Sequence, residues 1–439
     1  MGKCVEQLRH VCALGAYQSV LAIEKAVPVL HAGPGCGAKL WVTLGLQNGC
    51  QGSGQTGGHA IPCTNVTEKE VIFGGAEKLR EVLGNSLKIM NAGLYAVLTG
   101  CTSDIVGDDV GEVVGDFQEQ GFPVIYAETG GFKGSNYFGH ELVLEAIINQ
   151  YLKPSAAATE KGLINIWSVV PLQDTFWTGN LEELNRLIGL LGLKPNVIFG
   201  PGNGLEALNK VPKAQYNLLI SPWVGLKNVK QLEEKFGTPY IHYPVLPIGP
   251  TETGKFLRTV AEATGIPAAK AEAVIRGQES KYYYYIERAA DILLERNLMP
   301  KHFVTIADSF YALGISRFLV NDMGLLPNKQ FITDNAPEEA RPGIAAEFQN
   351  FVDGITAEVT FTHDGGEVAE SLRQIKFRGR PLILGSAWDR VVAREVNGYE
   401  LSVATPVSDR MVLSRGYVGY EGALRLTEDI YTVILNNFQ

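Results

Sequence analysis

Six cysteines, at positions 4, 12, 36, 50, 63 and 101, lie in the first quarter of a 439-residue chain, and none follows Cys101. Two of them share a local setting. Cys36 ends the stretch Val29-Leu-His31-Ala-Gly-Pro-Gly-Cys36, an apolar run that stops in a glycine-rich turn, and Cys101 ends the similar run Leu94-Tyr-Ala-Val-Leu-Thr-Gly-Cys101. In open α/β sheets ligands collect in the crevice at the carboxyl ends of the strands, so two thiols at such ends point toward a shared crevice. Cys12 is the third candidate, and the chemistry suited to such a set is thiolate ligation of a metal cluster. No Cys-x-x-Cys occurs, which excludes zinc-finger and bacterial-ferredoxin spacings. A disulfide framework is out of keeping with a cytosolic chain, so metal ligation and inert buried thiols remain as the two explanations, and spacing leaves both open. Cys4, Cys50 and Cys63 read as bystanders. A lone histidine is more often a satisfied structural residue than a ligand, and of the seven here only His31 is a candidate for a place near such a cluster.

Other chemistries find little support. The net charge of −9 and the absence of any Lys/Arg run argue against a nucleic-acid footprint. No stretch approaches the roughly 20 apolar residues that span a bilayer, and the N-terminus lacks a signal-peptide core, which implies a cytoplasmic, non-membrane protein. Gly52-Ser-Gly54-Gln-Thr-Gly57 spells a dinucleotide fingerprint, but no strand precedes it. Gly200-Pro-Gly202-Asn-Gly204 has Leu205 where a third glycine should stand. Gly249-Pro-Thr-Glu-Thr-Gly254-Lys255 has Phe256 where the magnesium-binding hydroxyl of a P-loop must be, so it reads as a helix start. No Ser-His-Asp, paired-carboxylate or His-Glu-x-x-His arrangement is evident.

The elements that must position the cysteines follow from pattern. With 46% hydrophobic and 19% charged residues the composition is that of a globular α/β protein. Three Rossmann-like domains with parallel sheets flanked by helices are expected, at 1–158, 159–298 and 299–439, with the cluster in a crevice at the strand ends. In the first, strands are predicted at Val27–His31, Leu94–Leu98 and Pro123–Ala127. Helices are predicted around Gly75–Val82, Ser103–Phe117 and Tyr137–Tyr151, with a surface loop over Asn48–Thr64. Lys153 to Gly162 reads as a linker. In the second domain a helix over Leu181–Leu191 alternates with strands at Asn196–Phe199, Tyr216–Ile220 and Pro239–Tyr243. A long helix follows over Pro267–Arg296, whose four consecutive tyrosines from Tyr282 must split between packing and solvent. Strands at His302–Ala307, Gln330–Thr333, Ala357–Phe361 and Pro381–Leu384 form the third domain, closed by a helix over Leu424–Leu435.

These residues resemble the β-type subunit of the nitrogenase component 1 proteins and nitrogenase-like reductases. The likeness runs over nearly the whole chain. It is carried by Cys12-Ala-Leu-Gly-Ala, His31-Ala-Gly-Pro-Gly-Cys36, Glu68-Lys-Glu-Val-Ile-Phe73-Gly-Gly and Gly100-Cys101-Thr-Ser-Asp-Ile-Val-Gly-Asp108-Asp109. Further on it includes Glu128-Thr-Gly-Gly-Phe-Lys-Gly-Ser135, Leu246-Pro-Ile-Gly-Pro, Gly385-Ser-Ala-Trp-Asp and Gly416-Tyr-Val-Gly-Tyr.

The resemblance implies an α2β2 heterotetramer of this chain with an α-type partner. It implies that Cys12, Cys36 and Cys101 supply half the thiolates of an [8Fe-7S] P-cluster shared with that partner. An ATP-dependent iron–sulfur reductase would dock transiently, with Phe73 on the surface it meets. An iron–sulfur–carbide cofactor is expected in the partner, because no residue here matches its ligands. Two departures matter: only eleven residues precede Cys12, and Gly131 stands where the molybdenum enzyme's β subunit has a serine able to ligate the oxidised cluster. The short N-terminus and the Gly-Pro-Gly-Cys-Gly turn look like those of methylthio-alkane reductases, which cleave carbon–sulfur bonds. An alternative dinitrogenase and a cofactor-assembly scaffold are the other readings.

Overall fold

A computed structural model describes residues 4–52, 61–154, 158–296 and 298–437. Its strands are β1 (Ala26–His31), β2 (Leu94–Thr99), β3 (Val124–Ala127), β4 (Glu160–Trp167), β5 (Lys194–Asn196), β6 (Ala214–Ile220) and β7 (Tyr240–Tyr243). They continue with β8 (His302–Ala307), β9 (Leu326–Pro327), β10 (Gln330–Ile332), β11 (Val359–Phe361), β12 (Leu382–Gly385) and β13 (Tyr399–Ser402). These form three parallel sheets, ordered β1-β2-β3, β5-β4-β6-β7 and β11-β10-β8-β12-β13, with β9 against β8. The architecture is α/β, with helices covering the sheet faces.

The first sheet shows why its strands read as unbroken apolar runs. Every residue of β1 and β2 is buried, because both faces are covered. Val27, Val29, Tyr95 and Val97 face one layer, with Leu79 and Leu83 of helix Ala76–Ile89 and Val113 and Val114 of helix Val110–Glu119. Ala26, Leu30, Ala96 and Leu98 face the other, where the core continues without a break into the second and third sheets. β1 and β2 pair from Ala26 with Leu94 to His31 with Thr99, and β2 and β3 end together at Leu98 and Ala127. Three chain segments therefore leave the sheet side by side at its carboxyl edge.

Several expected elements differ. The helix expected over Ser103–Phe117 is two, Cys101–Val106 and Val110–Glu119. Gly107, at φ +79°, ends the first, and the Asp109 carboxylate accepts the Glu112 N–H at the start of the second. The spacing of Val106, Val110, Val113 and Val114 runs through the break and hides it. Helix Asn136–Ala146 continues as a π-turn over Ile147–Tyr151. The strand expected at Asn196–Phe199 lies earlier, at β5, and β4 begins at Glu160, inside the stretch read as a linker. β13 fills a position for which no strand was expected.

The P-loop-like stretch opens helix Gly249–Ala263, with Phe256 fully buried in the core. Most of the Gly52–Gly57 motif lies outside the described residues. Tyr282 is buried, while Tyr283, Tyr284 and Tyr285 are exposed. The last helix, Gly419–Asn436, packs on Gly249–Ala263 and Ala268–Arg296, so the end of the chain returns to the second sheet's helices. No described helix is long and apolar enough to cross a membrane.

Candidate functional site

The carboxyl edge of the first sheet assembles the cysteines. After β1 the chain passes Gly33, the N-cap of helix Pro34–Leu46, whose first turn carries Cys36. After β2, Gly100 caps helix Cys101–Val106, so Cys101 is its first residue. After β3, Glu128 to Lys133 form a turn that brings Gly131 against both remaining thiols. A Cβ built on Gly131 would lie 3.0 Å from Cys101 Sγ and 3.3 Å from Cys12 Sγ. Cys12 reaches this point because its segment pairs with Ser135 and Ala13 N–H donates to the Gly134 carbonyl at 3.0 Å.

Cys36 belongs to the same neighbourhood. Its thiol is pushed up by burial and then by the nearby Cys12, Cys101 and Cys63, while Lys39 opposes them. All six cysteines are unpaired; Cys12, Cys36 and Cys63 are half-buried and Cys101 is exposed. The Gly131 N–H donates to Cys101 Sγ at 3.1 Å, and a Cβ on Gly35 would meet nothing within 4 Å. Among the described residues no three His, Cys, Asp or Glu side chains close around a single ion. The thiols instead make one open wall, with space where glycines remove side chains. That arrangement offers the thiolate donors that an iron–sulfur group needs.

Cys63, read as a bystander, lies closer to this wall than spacing suggested. Its segment runs beside β1, Leu30 bridging Cys63, and its thiol donates to the Ala32 carbonyl at 3.5 Å and accepts the Asn65 N–H at 3.4 Å.

His31 is not part of the wall. Along β1 side chains alternate, so His31 shares the face of Val27 and Val29, opposite the Leu30 face on which Cys12 and Cys36 pack. Both ring nitrogens are engaged, Nε2 with Asp108 at 2.9 Å and Nδ1 with Thr64 Oγ1 at 3.1 Å. Burial lowers its pKa, and Asp108 opposes the shift.

The other Asp108 oxygen accepts the Gly75 N–H at 2.6 Å. It thereby ties the Gly74-Gly75 turn to the sheet, and that turn follows helix Glu68–Phe73. Thr67 and Glu70 cap this helix reciprocally. Phe73, at 81% exposed, and Ile72, at 71%, project from it beside the Cys101 helix. Ile105 at 74%, Phe132 at 62% and Leu46 at 59% stand out on the elements that bear Cys101, Gly131 and Cys36. Large apolar side chains left in water are characteristic of surfaces at which proteins, membranes or ligands bind.

A model of the family described as "Nitrogenase component 1 type Oxidoreductase" matches residues 12–435. The chain belongs to this family. Among component 1 relatives, the molybdenum-iron protein beta chain of Clostridium pasteurianum is 24% identical, with 97% of this chain and 92% of the relative aligned. The corresponding chain of Azotobacter vinelandii is 24% identical over 96% of this chain and 82% of its own length. That of Methanococcus maripaludis is 23% identical over 97% and 93%. The solved structure titled "Nitrogenase Cp1 at pH 6.5" superposes with a TM-score of 0.81 at 21% identity, covering 99% of this chain and 94% of that one. The fold is therefore that of component 1, and the chain is a nitrogenase-family oxidoreductase subunit of β-chain type.

Sequence reasoning missed the residues that fix the wall. Asp108, which joins His31 to the Phe73 helix, and Asp104 and Lys133, which fasten the Gly131 turn, were quoted only within longer motifs. Asp104 stands three residues after Cys101, a spacing that puts both on one helix face, and this was the signal available.

Proposed function

We propose that this chain is the β-type electron-relay subunit of a nitrogenase-like reductase, in which Cys12, Cys36 and Cys101 hold half of an [8Fe-7S] P-cluster shared with an α-type partner in an α2β2 heterotetramer. The observation that carries this reading is the convergence of the three thiols with Gly131 on one open, apolar-rimmed wall. When bound, such a cluster stores electrons and releases them singly or in pairs.

The chain's own residues prepare for that chemistry. The Gly131 N–H compensates charge on the Cys101 sulfur, the missing side chain at Gly131 lets Cys12 and Cys101 close on the loop, and Gly35 leaves open space beside Cys36. Burial of Cys36 disfavours its free thiolate, so loading must release a proton there. Phe73 and Ile72 offer the ATP-dependent reductase an apolar anchor. Substrate chemistry falls to the partner's iron–sulfur–carbide cofactor, and the chain works in the cytoplasm.

For the substrate we propose methylthio-alkanes, cleaved reductively at carbon–sulfur bonds; the support is the Gly-Pro-Gly-Cys-Gly turn. The complex, given its reductase, ATP and a low-potential donor, should release methanethiol with methane from dimethyl sulfide, and methanethiol with ethylene from 2-methylthioethanol. A second reading, dinitrogen reduction, draws support from the molybdenum-iron beta chains among the relatives. Robust ammonia formation without methanethiol would select it. Transfer of cofactor to another protein, with neither product formed, would select a scaffold.

A further inference from the structure

Asp104 lies one helical turn after Cys101 on helix Cys101–Val106 and reaches the loop that follows β3. Its carboxylate accepts the Gly130 N–H at 3.2 Å and pairs with Lys133 Nζ at 2.9 Å. Lys133 also meets Glu128 at 2.7 Å, and its own N–H closes a turn onto the Gly130 carbonyl. One carboxylate, with 7% of its side chain exposed, thus fastens the loop on both sides of Gly131. Gly131 is the residue whose N–H donates to Cys101 Sγ. The fit is close: a Cβ on Gly130 would come within 2.3 Å of Asp104 Oδ2.

We propose that Asp104 and Lys133 are positioning residues that set the reduction potential of the cluster held through Cys101. The inference rests on the reading of Cys101 as a ligand. A hydrogen bond donated to a ligating sulfur stabilises the more negative, reduced state and so raises the potential. The Lys133 ammonium, tied to Asp104 one helical turn from Cys101, acts in the same direction. The Asp104 charge acts against both, so its contribution is geometric: it holds the loop where the Gly131 N–H meets the sulfur.

This division gives variants with distinct signs. In the complete complex, iron content and an anaerobic potentiometric titration followed by EPR are compared for Lys133→Met, Lys133→Arg, Gly130→Ala and Asp104→Asn. Lys133→Met removes a positive charge and a fastening, and should keep its iron while the potential falls. The shift should be roughly tenfold in the ratio of reduced to oxidised cluster at fixed potential, about 59 mV for a one-electron step. Lys133→Arg should restore the original value. Gly130→Ala preserves every charge and displaces only the Asp104 carboxylate, so it too should lower the potential. Asp104→Asn should lower it despite losing a negative charge. A rise in Asp104→Asn, or an unmoved potential in both Lys133→Met and Gly130→Ala, overturns the proposal. Full iron content in Cys101→Ala would instead remove the underlying ligand reading, a result scored independently of any potential.

Discussion

Two sheets of this molecule end in crevices of opposite character. At the carboxyl edge of the first, unpaired thiols, glycines and exposed apolar side chains face outward. At the carboxyl edge of the third, the chain fills its own crevice. Arg9 Nη2 meets the Asp389 carboxylate at 2.7 Å, and Arg9 Nη1 reaches Ser386 Oγ at 3.0 Å. Asp334 accepts from Trp223 Nε1 and from the Ser309 N–H, each at 3.0 Å, and Asp174 accepts from Tyr311 Oη at 2.7 Å. The small cavity remaining there, lined by His10, Asn136, Gln173 and Asp308, is about 50 Å3, room for a few waters. The same position in two parallel sheets is thus left open in one and filled by the chain itself in the other. Fold alone does not locate function; the side chains placed at the strand ends do.

The sharpest way to break this contrast is to delete thiols. Cys36→Ala or Cys101→Ala should remove most of the iron at the subunit interface and weaken the heterotetramer, read by iron analysis and gel filtration. Cys4→Ala, Cys50→Ala and Cys63→Ala should leave iron unaltered. Cys63 is the strictest control, since it lies near Cys36. Iron retained in both ligand variants would sink the assignment.

The next largest effect belongs to the closed crevice. Arg9→Met takes the charge partner from the fully buried Asp389 carboxylate, which keeps only its Ser386 donors, and breaking such a pair costs roughly 3–5 kcal/mol. Denaturant unfolding should show that loss. Cys12 lies three residues along the same segment, so iron should fall by less than in the cysteine variants. Unchanged stability would mean that this crevice does not hold the chain together as argued.

What the sequence revealed and concealed divides along similar lines. β1 and β2 were legible because burial on both faces writes a continuous apolar run, and the glycines after them announced the turns at which Cys36 and Cys101 sit. The break at Gly107 was concealed because the valine spacing continues across it. His31 fits the structural reading of a lone histidine: five residues before Cys36, it is turned to the other face by alternation along the strand, with both ring nitrogens partnered. The Arg9–Asp389 pair joins residues 380 apart, and the Asp104–Lys133 pair depends on β2 and β3 being parallel neighbours. Such contacts exist only once topology is known.

On the open side, Phe73→Ala should slow electron delivery from the reductase by roughly tenfold, as truncation of an aromatic interface anchor commonly does, while cluster content and stability stay unchanged. Stopped-flow oxidation of the reductase reads this directly. An unaffected rate would remove Phe73 from the docking surface, and its exposure would then need another partner.

The last effect expected is a pH dependence on the closed side. Burial, followed by the charge of Asp334, pushes the Asp308 carboxyl up to about 8, while hydrogen bonds from the Tyr311 and Phe310 N–H groups oppose the shift. The folded chain therefore keeps a proton that the unfolded chain, with an ordinary carboxyl near 3.8, has already released. The corresponding stability is complete below pH 3.8 and is lost as pH rises toward 8, by at most about 1.4 kcal/mol per unit. Asp308→Asn carries no titrating proton, so the difference in unfolding free energy between variant and unaltered chain should drift in the variant's favour from pH 5 to 8. Removing the Asp334 charge should reduce the drift, because that charge contributes to the shift. A difference that stays flat across this range would show Asp308 ionised in the folded chain, and the closed crevice would then have to hold a charge that these neighbours do not neutralise.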